Sequence, residues 1–263
     1  MPLNPLISDW HGKTVWLIGA STGIGFETAK LLIAKGARVA VSARSEAPLQ
    51  QLAALAADRV TAAPLDITQP TQLASTLATL EQTWGAIPDL SLVVAGTHTE
   101  MRAFDFDRAA AQNLLNVNLG GPLNVMEILL PKLIANAKAG KPAGIGFVSS
   151  VAGYRGLPKA LIYGPSKAAL INLAESLYID LNPLGIGVYC INPGFIDTPL
   201  TQKNDFAMPD LMSPQDAAAA FVKGLEEGDF EITFPKSFVR KMKLAQLLPN
   251  NAYFATIRKT VKL

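Results

Sequence analysis

Short apolar, β-branched runs alternate along the chain with longer segments of helical spacing, and that alternation leaves few folds open. The runs are Thr14–Ile18, Arg38–Ala43, Arg59–Ala63, Leu90–Ala95, Gly144–Ser149, Gly187–Ile191 and Phe230–Phe234. Helical patterns lie between them, near Gly25–Ala34, Leu49–Ala57, Thr71–Thr83, Arg108–Ala137, Gly164–Asp180 and Pro214–Leu225. A strand that is apolar on successive residues has no face left for water, so both faces must be covered. Strands of that kind joined through helices make right-handed crossovers within one parallel sheet. The expectation is an α/β fold, a single doubly wound parallel sheet of about seven strands flanked by helices, with ligands at the carboxyl ends of the strands. No linker separates two domains. Residues 1–235 read as one domain and 236–263 as a basic helical extension packed on it.

Composition narrows the function classes. The single cysteine, Cys190, excludes an internal disulfide and a thiolate cluster. His11 and His98 belong to no metal-spaced motif, so no metal is expected. Nothing in Met1–Lys13 reads as a secretory signal, and no apolar run approaches the ~18 residues of a membrane span, which points to the cytoplasm. Charged residues make up only 17% of the chain, against about 25% on average, so more surface is hidden than one fold requires, in a subunit interface or an apolar cleft. The seven basic residues from Lys236 onward have no acidic neighbour, while the rest is mildly acidic, so the chain as a whole is no nucleic-acid binder.

The first strand runs into Gly19-Ala20-Ser21-Thr22-Gly23-Ile24-Gly25, and a helix follows. Glycines let the backbone turn tightly against a pyrophosphate, and the helix start offers free N–H groups and a positive dipole end. In a dinucleotide site the second strand usually ends in a carboxylate that holds the adenosine ribose. Here it ends Val41-Ser42-Ala43-Arg44-Ser45, and the planar fork of Arg44 suits a 2′-phosphate. The turn therefore points to NADP(H), NADPH being preferred over NADH. A solvated arginine just past a strand is the plain alternative.

Tyr163-Gly164-Pro165-Ser166-Lys167 carries the chemistry. Residues four apart share a helix face, and Pro165 is tolerated only if the helix is just beginning. A free phenol has a pKa of about 10, and a neighbouring ammonium is expected to lower it toward working pH. Ser150 follows a strand and should reach the carboxyl edge where Tyr163 arrives. Asn118 lies inside a long apolar helix, where burial demands hydrogen-bond partners; kinking that helix is its structural alternative.

Taken together, GASTGIG, LDIT, VNLGG, VSSVAG, YGPSK and NPGFIDTP at these spacings resemble the short-chain dehydrogenase/reductase family from about Gly12 to Thr198. The resemblance implies a Rossmann-like fold and a catalytic tetrad of Asn118, Ser150, Tyr163 and Lys167. Tyr163 would be the general acid for reduction, Ser150 would hold the substrate oxygen, Lys167 would bind the nicotinamide ribose, and Asn118 would hold a relay water. It also implies that Asp66 and Ile67 lie beside the adenine. Ala95, Gly96, Pro193, Gly194, Ile196 and Thr198 would line the cofactor, with Ile196 and Thr198 near the nicotinamide carboxamide. Val93-Val94-Ala95-Gly96 departs from the family's Asn-Asn-Ala-Gly, and Ile18 replaces a common threonine. The implied activity is NADP(H)-dependent interconversion of a carbonyl and an alcohol by a homodimer or homotetramer. A binding protein without turnover is the alternative.

The resemblance places a substrate lid near 198–213, including Phe206, Met208, Pro209, Leu211 and Met212. With Tyr154, Leu157 and Phe195 it suggests an apolar substrate. Beyond Pro235, Phe238, Met242, Ala245 and Leu248 recur at helical spacing beside Arg240, Lys241 and Lys243. Docking on the domain is the favoured reading of 236–263; contact with an anionic membrane, as in a lipid-modifying reductase, is the other.

Overall fold

The computed structural model describes residues 2–202 and 208–261. Seven parallel strands form one sheet in the order β3-β2-β1-β4-β5-β6-β7. They are β1 (Thr14–Ile18), β2 (Arg38–Ser42), β3 (Val60–Ala62), β4 (Leu90–Val93), β5 (Gly144–Val148), β6 (Gly187–Pro193) and β7 (Glu231–Phe234). Strand order reverses between β1 and β4, which pair in register from Val15 with Leu90 to Ile18 with Val93. At such a reversal the loops diverge and leave a crevice at the strand ends.

Alternate residues of each strand feed two separate cores. Val15 and Leu17 of β1 join Val39, Val41 and Ile191 under α1 (Gly23–Ala34) and α7 (Pro214–Glu226). Trp16 and Ile18 face the other way, with Phe147 and Val188, under α3 (Pro70–Trp84), α5 (Gly121–Lys138) and α6 (Tyr163–Leu181). This two-sided burial is why the strands read as unbroken apolar runs. Trp16 is fully buried yet keeps its indole N–H satisfied by Ser42 Oγ at 3.0 Å.

The expected continuous helix over 108–137 is divided. After α4 (Arg108–Leu115), residues Asn116–Gly120 form a π-helical turn before α5 begins. One extra residue per turn re-aims the side chains there, and such turns cluster at functional sites. Past β7 two helices follow, α8 (Lys236–Gln246) and α9 (Asn250–Val261). Among the described residues no helix is long and apolar enough to cross a membrane. The remaining helix, α2 (Glu46–Ala53), covers β2 and β3.

Candidate active site

A cleft of about 460 Å³ opens at the carboxyl edge, beside the strand-order reversal. Its phosphate end is built from close approaches that side chains would forbid. At Gly19, with φ +108°, an added Cβ would sit 2.3 Å from Ala95 N; at Gly25 it would sit 2.0 Å from Gly19 O. Gly23, at φ +55°, faces Thr198 across the turn. Thr22 occupies the cap position of α1 in extended conformation and makes no side-chain cap bond, so its hydroxyl does not compete for the N–H groups at the helix start. Ser21, Thr22, Gly23, Ile24 and Gly25 line the cleft, so the cradle fits a dinucleotide pyrophosphate.

The end of the cleft expected to take the adenine is lined by Arg44, Ser45, Asp66 and Ile67. Thr68 donates to Asp66 Oδ1 from its backbone N–H at 2.9 Å and its hydroxyl at 2.8 Å. The backbone bond, then the hydroxyl and nearby Arg44, hold this carboxyl below its usual range against a desolvation that works the other way. Ile67 packs into the space left by Gly121, and Asn124 donates to its carbonyl at 3.1 Å. The Val94 and Ala95 amides donate to Ile18 O, each at 2.8 Å, so main-chain bonds tie β4 to β1 where the side-chain amides of the family pattern are missing.

The four residues of the expected tetrad lie together. Asn118, on the π-helical turn, is fully buried. Its Oδ1 accepts from Thr97 N at 2.8 Å, and its Nδ2 donates to Thr97 O at 3.0 Å and to Ser166 Oγ at 3.2 Å. Ser166 in turn donates to the Tyr163 carbonyl at 2.7 Å. Ser150 caps a short 3₁₀ turn, Val151–Gly153, accepting from Ala152 N at 3.1 Å, and shares a hydrogen bond with the Tyr163 hydroxyl. Tyr163 opens α6 with Pro165 in the first turn. Lys167, one turn on and buried, donates to Val148 O at 2.9 Å with Nζ 5.7 Å from the Tyr163 ring centroid.

The charge balance differs from the expected one. Burial raises the Tyr163 hydroxyl above the usual tyrosine range, and the bond to Ser150 is what pulls it down. Lys167 is not what lowers it; burial instead brings Lys167 itself down to about 8. The ammonium is spent on the Val148 carbonyl rather than aimed at the phenol.

At the end expected to take the nicotinamide, Gly194 N donates to Phe234 O at 2.7 Å, and Pro193, Gly194, Ile196 and Thr198 line the cleft with Ala95 and Gly96. An added Cβ at Gly96 would lie 3.3 Å from Lys167 Nζ and 3.5 Å from Asn118 Oδ1, so this glycine lets β4 close onto the tetrad. The sequence reading did not place Thr97, Asn113, Val117 or His98 in the cleft; the ring of His98 meets Tyr163 edge-on with centroids 4.6 Å apart. Its signal was its place, two residues past Gly96 in a loop leaving the carboxyl edge.

Three residues read as an apolar substrate wall are turned elsewhere. Tyr154 and Leu157 pack with Phe238 on a small cluster of Val151, Val239 and Met242, and Phe195 stacks on Phe238 with centroids 5.2 Å apart. None of the three lines the cleft. Of the expected lid, Phe206 lies outside the described residues, and Met212 is bound to the Phe195 and Asp197 main chain.

Comparison with known proteins agrees with this geometry. The pattern for short chain dehydrogenases matches residues 13–208. This chain is a member of the short chain dehydrogenase family. An uncharacterized oxidoreductase of Myxococcus xanthus is 33% identical over 256 residues, spanning 96% of this chain and 99% of that one. Among solved structures, a short chain dehydrogenase of Burkholderia cenocepacia in complex with NADP superposes with a TM-score of 0.79 at 24% identity, over 95% of this chain and 99% of that one. A 3-ketoacyl-(acyl-carrier-protein) reductase of Brucella melitensis complexed with NADH gives 0.78 at 23%, over 87% and 100%. At such identities the two structures establish the likeness of fold.

Proposed function

We propose that this chain is an NADP(H)-dependent reductase that interconverts a carbonyl and an alcohol, with Tyr163 as the proton donor. The observation that carries the reading is the convergence of Ser150, Tyr163 and Lys167 on the cleft that also holds the glycine turn, with Asn118 buried behind them and bonded to Thr97 of the cleft wall. When bound, the nicotinamide supplies or accepts the hydride. The chain supplies orientation and the proton. Ser150 holds the substrate oxygen next to the Tyr163 hydroxyl, so negative charge developing on that oxygen meets a donor already in place. Burial keeps the phenol protonated before reaction, and the bond from Ser150, which lowers its pKa, favours release of that proton in reduction. Lys167, fixed by Val148 O, would hold the nicotinamide ribose. Asn118 holds the Thr97 backbone, and through it the wall of the cleft.

NADPH preference is supported by Arg44 at the adenine end, where β2 supplies no carboxylate. An apolar portion of the substrate would rest on Pro199 and Leu200 at the open end. A homodimer or homotetramer is supported by Leu123 and Ile179, large apolar side chains left exposed on α5 and α6, and sedimentation velocity reads that state directly. The test of the chemistry is NADPH oxidation against a panel of ketones, aldehydes, quinones and acyl-chain carbonyls. Tyr163→Phe is expected to lower kcat by about 10²–10⁴ while NADPH still binds. Unchanged turnover in that variant would remove the mechanism.

A further inference from the structure

The loop that joins Ser150 to Tyr163 is held from outside by the last two helices. Arg155, five residues past Ser150, reaches the end of α8: one nitrogen donates to the carbonyls of Ala245 at 3.2 Å, Gln246 at 3.4 Å and Leu248 at 2.7 Å. The other reaches Asn250 Oδ1 at 2.5 Å, and the guanidinium lies 4.0 Å from the Tyr253 ring centroid. Bonds also run back: Gln246 Nε2 donates to Tyr154 O at 3.0 Å, and the Tyr253 hydroxyl donates to Gly156 O at 2.8 Å. The last carbonyls of a helix have no partners within it, and a planar cation with five donors satisfies several at once. Here that cap comes from a loop some ninety residues away in sequence.

The same loop bears directly on the tetrad. Gly153, two residues before Arg155, lies so close to α6 that an added Cβ would meet the Lys167 carbonyl carbon at 2.7 Å and Ala168 N at 2.8 Å. Ser149 Oγ donates to Lys167 O at 2.7 Å. Displacement of this turn therefore moves Ser150 against the helix that carries Tyr163 and Lys167. On the far side, Glu231 accepts from Tyr154, from Asn192 Nδ2 at 2.9 Å and from Lys243 of α8. Phe238 of α8 fills the space beside Gly194 at the nicotinamide end.

We propose that Arg155 is a positioning residue for the reaction, and that α8 and α9 are part of the active site, holding the 151–158 loop so that Ser150 and Tyr163 stay in register. This rests on the reductase reading above. In the full-length protein, Arg155→Ala is expected to lower kcat about tenfold to a hundredfold, since small misplacements of reacting groups cost that much. The KM for NADPH should stay within about twofold, because Arg155 lies away from the cofactor end. Arg155→Lys keeps the charge without the fork and should recover only part of the loss. Millimolar guanidinium added to Arg155→Ala should restore part of kcat. Hydrogen exchange should speed up together in 151–158 and 236–261. If Arg155→Ala does not fold, Arg155→Lys and Tyr253→Phe carry the same measurements. Wild-type kcat in the folded variants, or a loss shared equally by NADPH binding and not rescued by guanidinium, would overturn the proposal. Absence of turnover in the wild-type protein would instead strike the reductase reading, while coupled exchange of loop and helices would still be read without any substrate.

Discussion

The phosphate end and the substrate end of the cleft are held by different means. The hydrogen bonds that set the glycine turn lie within one β1-α1-β2 unit: Gly19 N and Ala20 N donate to Ser42 O at 2.7 and 3.1 Å, and the tightest approach, Gly25 to Gly19, spans six residues. The loop after Ser150 is held by Glu231, Gln246 and Tyr253, 77 to 97 residues away. A turn hydrogen-bonded through its own local backbone tolerates little change, and its distant neighbours Ala95 and Thr198 only pack against it. A site held by distant partners can be reshaped by replacing them while the catalytic residues stay, so the C-terminal helices are the natural place for substrate preference to vary.

Gly25→Ala should show the largest effect at the phosphate end. Its Cβ meets a backbone oxygen at 2.0 Å, and an overpacking cost of about 1–3 kcal/mol or more falls on the turn itself. Calorimetry should find NADPH binding reduced by more than about tenfold, while hydrogen exchange in 151–158 stays as in wild type. Exchange that rises in both places would show the two ends to be one unit.

Arg44→Ala comes next. The loss of one charge-assisted contact, about 1.5–3 kcal/mol, should weaken NADPH by a factor of about ten or more and leave NADH nearly unchanged. Equal losses for the two cofactors would defeat the 2′-phosphate assignment.

The smallest effect is expected from pH, and it separates the two titrating groups of the tetrad. Burial brings Lys167 down to about 8, so its ammonium is present below that value and lost as pH rises through it. Tyr163 is held above the ordinary tyrosine value of 10.0 and keeps its proton throughout that range. Carbonyl reduction at saturating NADPH should therefore decline as pH rises through about 8. A rate level up to pH 10 would take Lys167 out of the titrating machinery.

The sheet was legible from local pattern, and so was the placing of Tyr163 and Lys167 on one helix, for a physical reason. Strands covered on both faces must be apolar throughout, and β1 appears at the bounds its β-branched run predicts, Thr14–Ile18. Tyr163 and Lys167 are four apart on one helix, a relation that spacing alone encodes. The π-helical turn at Asn118 was not legible: the turn accompanies the pairing of that amide with Thr97, a residue on another element, which spacing does not encode. The direction of Tyr163's shift was misread for the same kind of reason: adjacency to Lys167 is a matter of sequence, whereas desolvation and the Val148 carbonyl that occupies the ammonium are matters of packing.

Residue order alone thus determined the parallel sheet, the glycine cradle and the set of groups available for proton transfer, since each depends on periodicity or on the backbone freedom of single residues. Only the tertiary structure decided what Tyr154, Leu157, Phe195 and Arg155 do. An aromatic or a guanidinium in a loop has no intrinsic direction; its partners lie on helices that follow β7, and burial against them turned the side chains away from the cleft.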